Sequence, residues 1–236
     1  LVMPGGAWNQ VVQRTVGWLL SRGARAADRI SMYTRDYTEH SDFLRPHRAK
    51  VVPVYPPVIF PCPSPDGAMA WRCALGLDGA PLVGFAGRFV EEKGFDYLLE
   101  AIPEVAARHP NVRFAFAGET QVVYEAFYRR CLPLIETQRD RLVNLGLITD
   151  PRRMADFYRM CDVFALPSRS DCLASVQIEA MLCGTPVVAT DIPGAREVVR
   201  VTGMGRLVAP RDPHALAEGL SAVLDDPTHY VRSRDE

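Results

Sequence analysis

An α/β fold built on a doubly wound parallel sheet is what this chain predicts for residues 61–236, after a shorter piece over residues 1–60. Three observations carry that prediction. From residue 69 onward, six short apolar runs alternate with stretches of helical character, and strands joined through helices lie parallel with right-handed crossovers. The runs are apolar throughout rather than at every second position, as in strands buried on both faces. Finally, six prolines fall between residues 53 and 65, a density that breaks regular structure and stiffens the connection between two regimes of sequence.

Taken in order, residues 7–27 place Val11, Val12, Val16, Leu19 and Leu20 on a helical stripe. Residues 28–43 read as a short strand and a second helix, with Thr34 or Asp36 as its N-cap. The segment KVVPVYPPVIFPCPSPDG reads as a strand running into a linker, and the domain boundary falls around 57–68. Strands follow at 81–86, 112–117, 142–147, 163–166, 186–190 and 206–208. Asp150-Pro151 and Asp212-Pro213 each combine an N-cap with a proline at the first helical position. Gly184 closes the helix SVQIEAMLC as a C-terminal glycine. Six strands in this grammar make a Rossmann-like sheet, whose ligands sit at the carboxyl ends of the strands near the switch point.

Composition narrows the function. Of 236 residues, 48% are hydrophobic and 23% charged, which excludes disorder, a collagen-like chain and a disulfide miniprotein. A formal charge of −1 leaves no nucleic-acid footprint, and no apolar run approaches a membrane span. Residues 1–60 are net basic, which suits peripheral contact with an anionic membrane or phosphate and equally a solvated basic helix. Six cysteines occur with no C-x-x-C pair; with no secretory leader either, a reduced, cytoplasmic compartment is expected, with the thiols acting as small core hydrophobes. The only lysines are Lys50 and Lys93.

Two loops carry the chemistry. After the first strand of the sheet comes Gly87-Arg88-Phe89-Val90-Glu91-Glu92-Lys93-Gly94. Glycine permits close backbone approach, the arginine fork and the lysine point charge suit phosphate oxygens, and the following helix start favours anions. The same loop is consistent with surface pairing of Arg88 to Glu91 or Glu92. It is neither G-x-G-x-x-G nor a Walker loop, which removes the main support for NAD or ATP. The second segment, residues 167–199, holds Asp171 after the fourth strand and Glu179 one turn inside the next helix. The amides near Leu173, Ala174 and Ser175 point into the crevice. Glu179 is flanked by Ile178, Ala180 and Met181, where a charge needs a partner.

With GRFVEEKG, the Asp171…Glu179 pair, EAMLCGTPVVATDIPGAREVV and GRLVAPRDPHALAEGL in view, residues 80–225 resemble the donor-binding half of a retaining GT-B glycosyltransferase of family 4, or group 1. The resemblance implies a nucleoside-diphosphate sugar as substrate, with no metal or other cofactor. It places Arg88 and Lys93 on the diphosphate, supported by Gly87 and the amides of Leu173, Ala174 and Ser175. Glu179 would hold the ribose, Asp171 the transferred sugar, and Leu147 and Ile148 the base. Arg88, Lys93 and Asp171 are thus the candidate catalytic residues. Two departures stand out. Asp171 replaces the usual Glu and is shorter by about 1.5 Å, and Cys172-Leu173-Ala174 replaces Gly-Phe-Gly, leaving less room for backbone approach.

The resemblance further implies that residues 1–60 are the end of an N-terminal acceptor domain, and that the chain is a fragment or an atypically short protein. The expected reaction is transfer of a hexosyl unit from a UDP- or GDP-sugar to a sugar, lipid or small-molecule acceptor. The alternatives are a nucleotide-sugar-binding fragment without transfer activity and a nucleotide-sugar epimerase on the same architecture. The epimerase is opposed by the GR-x4-K loop and the acidic spacing.

Overall fold

The computed structural model describes residues 7–120 and 126–232, and the chain divides into two compact units, residues 1–56 and 57–236. In the first unit, α1 (Ala7–Ala26) leads to β1 (Ile30–Met32), α2 (Arg35–His40) and β2 (Val51–Pro53). The two strands pair in parallel, Ile30 opposite Val51. Thr34, not Asp36, caps α2, its side chain accepting the Tyr37 N–H at 3.1 Å. Lys50, at the end of a 3-10 turn over Arg45–Lys50, donates to the carbonyls of Arg25 and Ala27 at 2.6 and 2.9 Å. An ammonium group there meets orphan carbonyls and the negative end of the helix dipole together.

The second unit holds a six-stranded parallel sheet, ordered β5-β4-β3-β6-β7-β8. Its strands are β3 (Leu82–Ala86), β4 (Arg113–Ala117), β5 (Leu142–Asn144), β6 (Val163–Leu166), β7 (Val187–Thr190) and β8 (Gly205–Val208). Chain order reverses between β3 and β6, which are direct neighbours. The strands expected at 142–147 and 206–208 differ at their ends: β5 stops at Asn144, and β8 starts at Gly205. Gly146 explains the first difference, since its φ of 66° turns the chain out of the strand.

Two apolar layers cover the sheet. On one face α6 (Pro151–Met160), α7 (Ser175–Leu182) and α3 (Pro65–Ala74) bury Phe157, Tyr158, Ala180 and Ala68. On the other, α4 (Phe95–Arg108), α5 (Phe127–Thr137) and α9 (Pro213–Asp225) bury Leu98, Ile102, Phe127 and Leu220. Helix α3 begins inside the span expected to be linker, which it overlaps with its first turn. Its proline, Pro65, occupies the first helical turn, where no N–H is required, and Ser64 caps it by accepting the Gly67 N–H. The Asp-Pro starts behave alike: Asp150 accepts the Arg152 N–H and Asp212 the Ala215 N–H, each at 3.0 Å. After α7 the chain turns at Gly184, φ 82°. Helices α8 (Ala195–Thr202) and α10 (Pro227–Tyr230) complete the unit. Among the described residues no helix is long and apolar enough to cross a membrane.

None of the six cysteines is in a disulfide, and Cys131, Cys161 and Cys183 are buried. Burial, reinforced by the Asp96 charge, pushes Cys131 up to about 12. Burial likewise pushes the Cys161 thiol and the Tyr158 phenol upward. In the unfolded chain the thiols ionise near 9 and the phenol near 10, so above those values the folded state holds more protons than the unfolded one. Stability is therefore complete below pH 9 and falls as pH rises, by up to about 1.4 kcal/mol per pH unit for each group. Urea unfolding between pH 8 and 11 should show this decline, and Cys131→Val should flatten it.

Candidate functional site

At the carboxyl end of β3 the chain alternates exposed and buried residues. Phe89 and Val90 are buried, with Phe89 edge-on to Phe95 at 4.5 Å between centroids. Arg88, between Gly87 and Phe89, is exposed. The Gly87 N–H donates to the Ala117 carbonyl at 2.9 Å, tying the loop to the end of β4. Gly118 makes that approach feasible: a Cβ on it would lie 1.8 Å from the Gly87 oxygen.

Glu91–Lys93 then form a 3-10 turn that ends on Gly94, φ 67°. A Cβ at Gly94 would stand 1.9 Å from the Pro167 carbonyl oxygen. Only glycine lets the turn after β3 pack onto the loop after β6, and that packing brings the two chemistry-bearing segments together. Lys93 Nζ meets Asp171 Oδ2 at 2.7 Å, with the side chains 27% and 10% exposed. The sequence places Lys93 on phosphate and Asp171 on sugar; the structure pairs them with each other. Of Glu91 and Glu92, the two carboxylates the loop offers Arg88, Glu91 also pairs with Arg130.

Beyond Asp171, which forms a parallel bridge with Gly194, Leu173 and Ala174 are buried and Ser175 is exposed at the start of α7. Ala174 gives this helix no side-chain cap, so its first amides are left to solvent or to a ligand. Glu179, in the second turn, is partly buried and accepts the Tyr158 hydroxyl at 2.8 Å. Burial first, then the Glu179 charge, holds that phenol well above its ordinary value, so it stays a donor to the carboxylate. Leu147 is 65% exposed, and Ile148 is half-buried against the core below the end of β5. Thus Gly87, Arg88, Lys93, Asp171, Leu173, Ala174 and Ser175 gather around the switch point. Glu179 turns to Tyr158, while Leu147 and Ile148 lie two strands away at the β5 edge.

Sequence reasoning missed Tyr158, although the apolar neighbours of Glu179 demanded a donor. It also missed Arg169, which binds Asp96 through both guanidinium nitrogens, and Thr190, which donates to the Ser168 carbonyl at 2.6 Å. The first two are ordinary residues on their own elements until the loops meet, so no local pattern marks them. Hollows of about 520 and 300 Å³ lie at the opposite, amino end of the sheet, lined by Arg113 and Arg141 in one and Cys161 and Pro186 in the other. Neither holds a residue of the candidate site. Among the described residues, no group of three or more His, Cys, Asp or Glu side chains is arranged to hold a metal ion.

The six-stranded parallel sheet flanked by helices matches GT-B glycosyltransferase structures. The family model described as "Glycosyl transferases group 1" matches residues 80–226, and the chain belongs to that family. It is 36% identical to D-inositol 3-phosphate glycosyltransferase of Xylanimonas cellulosilytica over 220 residues, 88% of this chain and 51% of that protein. It is 32% identical to the GDP-mannose-dependent monoacylated alpha-(1-6)-phosphatidylinositol monomannoside mannosyltransferase of Corynebacterium glutamicum, over 70% of this chain and 43% of that one. Sucrose-phosphate synthase of Thermosynechococcus elongatus superposes with a TM-score of 0.78 at 27% identity, covering 92% of this chain and 54% of the other. Anabaena HepE, solved with UDP and glucose, shares the fold with a TM-score of 0.79 at 24% identity over 92% and 59%. The chain spans about half the length of the curated relatives it matches.

Replacing Gly94 by Ala forces a side chain into left-handed backbone, at about 1–2 kcal/mol, and drives Cβ into Pro167. Gly94→Ala should therefore lower the urea unfolding free energy by at least about 2 kcal/mol. An unchanged midpoint would show that the turn is free to move away.

Proposed function

We propose that this chain is the donor-binding part of a retaining hexosyltransferase that uses a nucleoside-diphosphate sugar. The single observation that carries the reading is the meeting of Lys93 with Asp171 at the switch point, beside the uncapped start of α7. A cation, an acid and uncapped amides side by side at the switch point suit a ligand that is an anion at one end and a polyol at the other. The named activities of the relatives, an inositol phosphate glycosyltransferase and a GDP-mannose-dependent mannosyltransferase, support the same class.

In this mechanism Arg88, Lys93 and the α7 amides bind the diphosphate and stabilise the negative charge that grows on it as the glycosidic bond breaks. Catalysis arises because that charge is larger in the transition state than in the ground state. Asp171 accepts a hydroxyl of the transferred sugar. Its carboxylate must share Lys93 with the phosphate, so the bound sugar and the bound diphosphate are coupled through one ion pair. Glu179, held by Tyr158, accepts the ribose hydroxyls, and Leu147 and Ile148 flank the base. Front-side displacement with retention needs no protein nucleophile, and none of these side chains is assigned that role.

A second reading follows from the length comparison: with about half of its relatives' span, the chain binds the donor but completes no transfer alone. Calorimetry with nucleoside diphosphates beside a transfer assay separates the two. A thermal-shift screen against UDP- and GDP-sugars is expected to pick out one base; at a hundredfold excess over Kd the bound state gains about 2.7 kcal/mol. In the complete enzyme, Lys93→Ala should reduce turnover about 10²–10³-fold. Wild-type turnover in a folded Lys93→Ala protein would remove the phosphate assignment.

A further inference from the structure

The turn that carries Lys93 is held from outside itself, and most of its hydrogen bonds to the loop after β6 are made by one residue two positions before Asp171. The Arg169 side chain is 16% exposed, and its guanidinium grips Asp96 fork to fork, at 2.9 Å to Oδ1 and 2.6 Å to Oδ2. The same group donates to the Glu91 carbonyl and lies 4.1 Å over the Tyr97 ring. Its backbone N–H donates to the Glu92 carbonyl at 2.7 Å. Every one of these partners falls within residues 91–97, the segment that contains Lys93 and starts α4.

We infer that Arg169 is a positioning residue for the Lys93 ammonium, fixing the turn after β3 against the loop after β6 so that the cation stands at the diphosphate position. The inference rests on the donor-binding reading above. A lysine side chain has four rotatable bonds, so its charge is placed only as well as its backbone is. The 3-10 turn supplies little hold of its own, because its hydrogen bonds are few and poorly aligned. Arg169 occupies the carbonyls of Glu91 and Glu92, the two residues immediately before Lys93, and anchors the first turn of α4 through Asp96 just beyond it. A planar bidentate fork resists rotation as well as separation, so the clamp sets orientation along with distance. Asp96 also lies in the first turn of its helix, where a carboxylate is favoured by the dipole, and the pair is thereby held on both sides.

The consequence is selective. The phosphate-binding cation depends on the clamp, whereas Glu179 with Tyr158, and Leu147 with Ile148, are held by other elements. Arg169→Ala should weaken binding of whichever of UDP and GDP the chain prefers by about tenfold, since small misplacements of a positioned group have effects on this scale. Affinity for the matching nucleoside, uridine or guanosine, should stay unchanged. In a double-mutant cycle measured by calorimetry on the 236-residue chain, Arg169→Ala should add nothing to Lys93→Ala. Arg169→Lys, which cannot form the fork, should fall between wild type and Ala.

Should Arg169→Ala not fold, Asp96→Asn keeps the shape, weakens the fork and carries the same expectation. Equal loss of nucleoside and nucleoside diphosphate, or fully additive losses with Lys93→Ala, would overturn the positioning role while leaving the donor reading intact. Full diphosphate affinity in Lys93→Ala itself would overturn both.

Discussion

The contact between the turn after β3 and the loop after β6 is the constraint on which the rest of the site depends. It is possible because Gly94 has no side chain where the Pro167 carbonyl stands. Two strands that are far apart in the chain are neighbours in the sheet, so their carboxyl-end loops must share one narrow space. Into that space the chain places one of its two lysines and an aspartate at 2.7 Å. Part-buried charges need such partners, since removing either from water without compensation is unfavourable.

Around that contact the structure separates anchoring from presentation. Phe89 and Val90 sink into the aromatic layer under α4, and Arg88 between Gly87 and Phe89 is left outside. The helix after Asp171 starts without a side-chain cap, while α3, α6 and α9 are each capped by a Ser or Asp. An uncapped start, which α7 shares with α4, α5 and α8, leaves amides available where the proposed phosphate would lie. The other lysine is used structurally: Lys50 closes the carbonyl end of α1.

Most of the sheet was legible because its signal is local. Strands such as 163–166 announce themselves as unbroken apolar runs, and the Asp-Pro starts at 150 and 212 are complete within two residues. Helix α3 was not legible in the proline-dense stretch. A proline reads as a breaker unless one knows it sits in the first turn, and that depends on Ser64 serving as the cap. The end of β5 was missed for a similar reason, the positive φ of Gly146.

For the site, residue type and spacing identified the loop cations, the acidic pair and the need for a partner at Glu179. The sequence by itself determined the fold class, the capped helices and which side chains could meet an anion, because those follow from periodicity and chemistry within a few residues. Only the tertiary structure decided that Lys93 faces Asp171, that Tyr158 answers Glu179, and that Arg169 grips Asp96 across 73 residues of chain. Such pairings depend on which strands become neighbours. That choice is made by burial of the whole sheet, and no local stretch of residues encodes it.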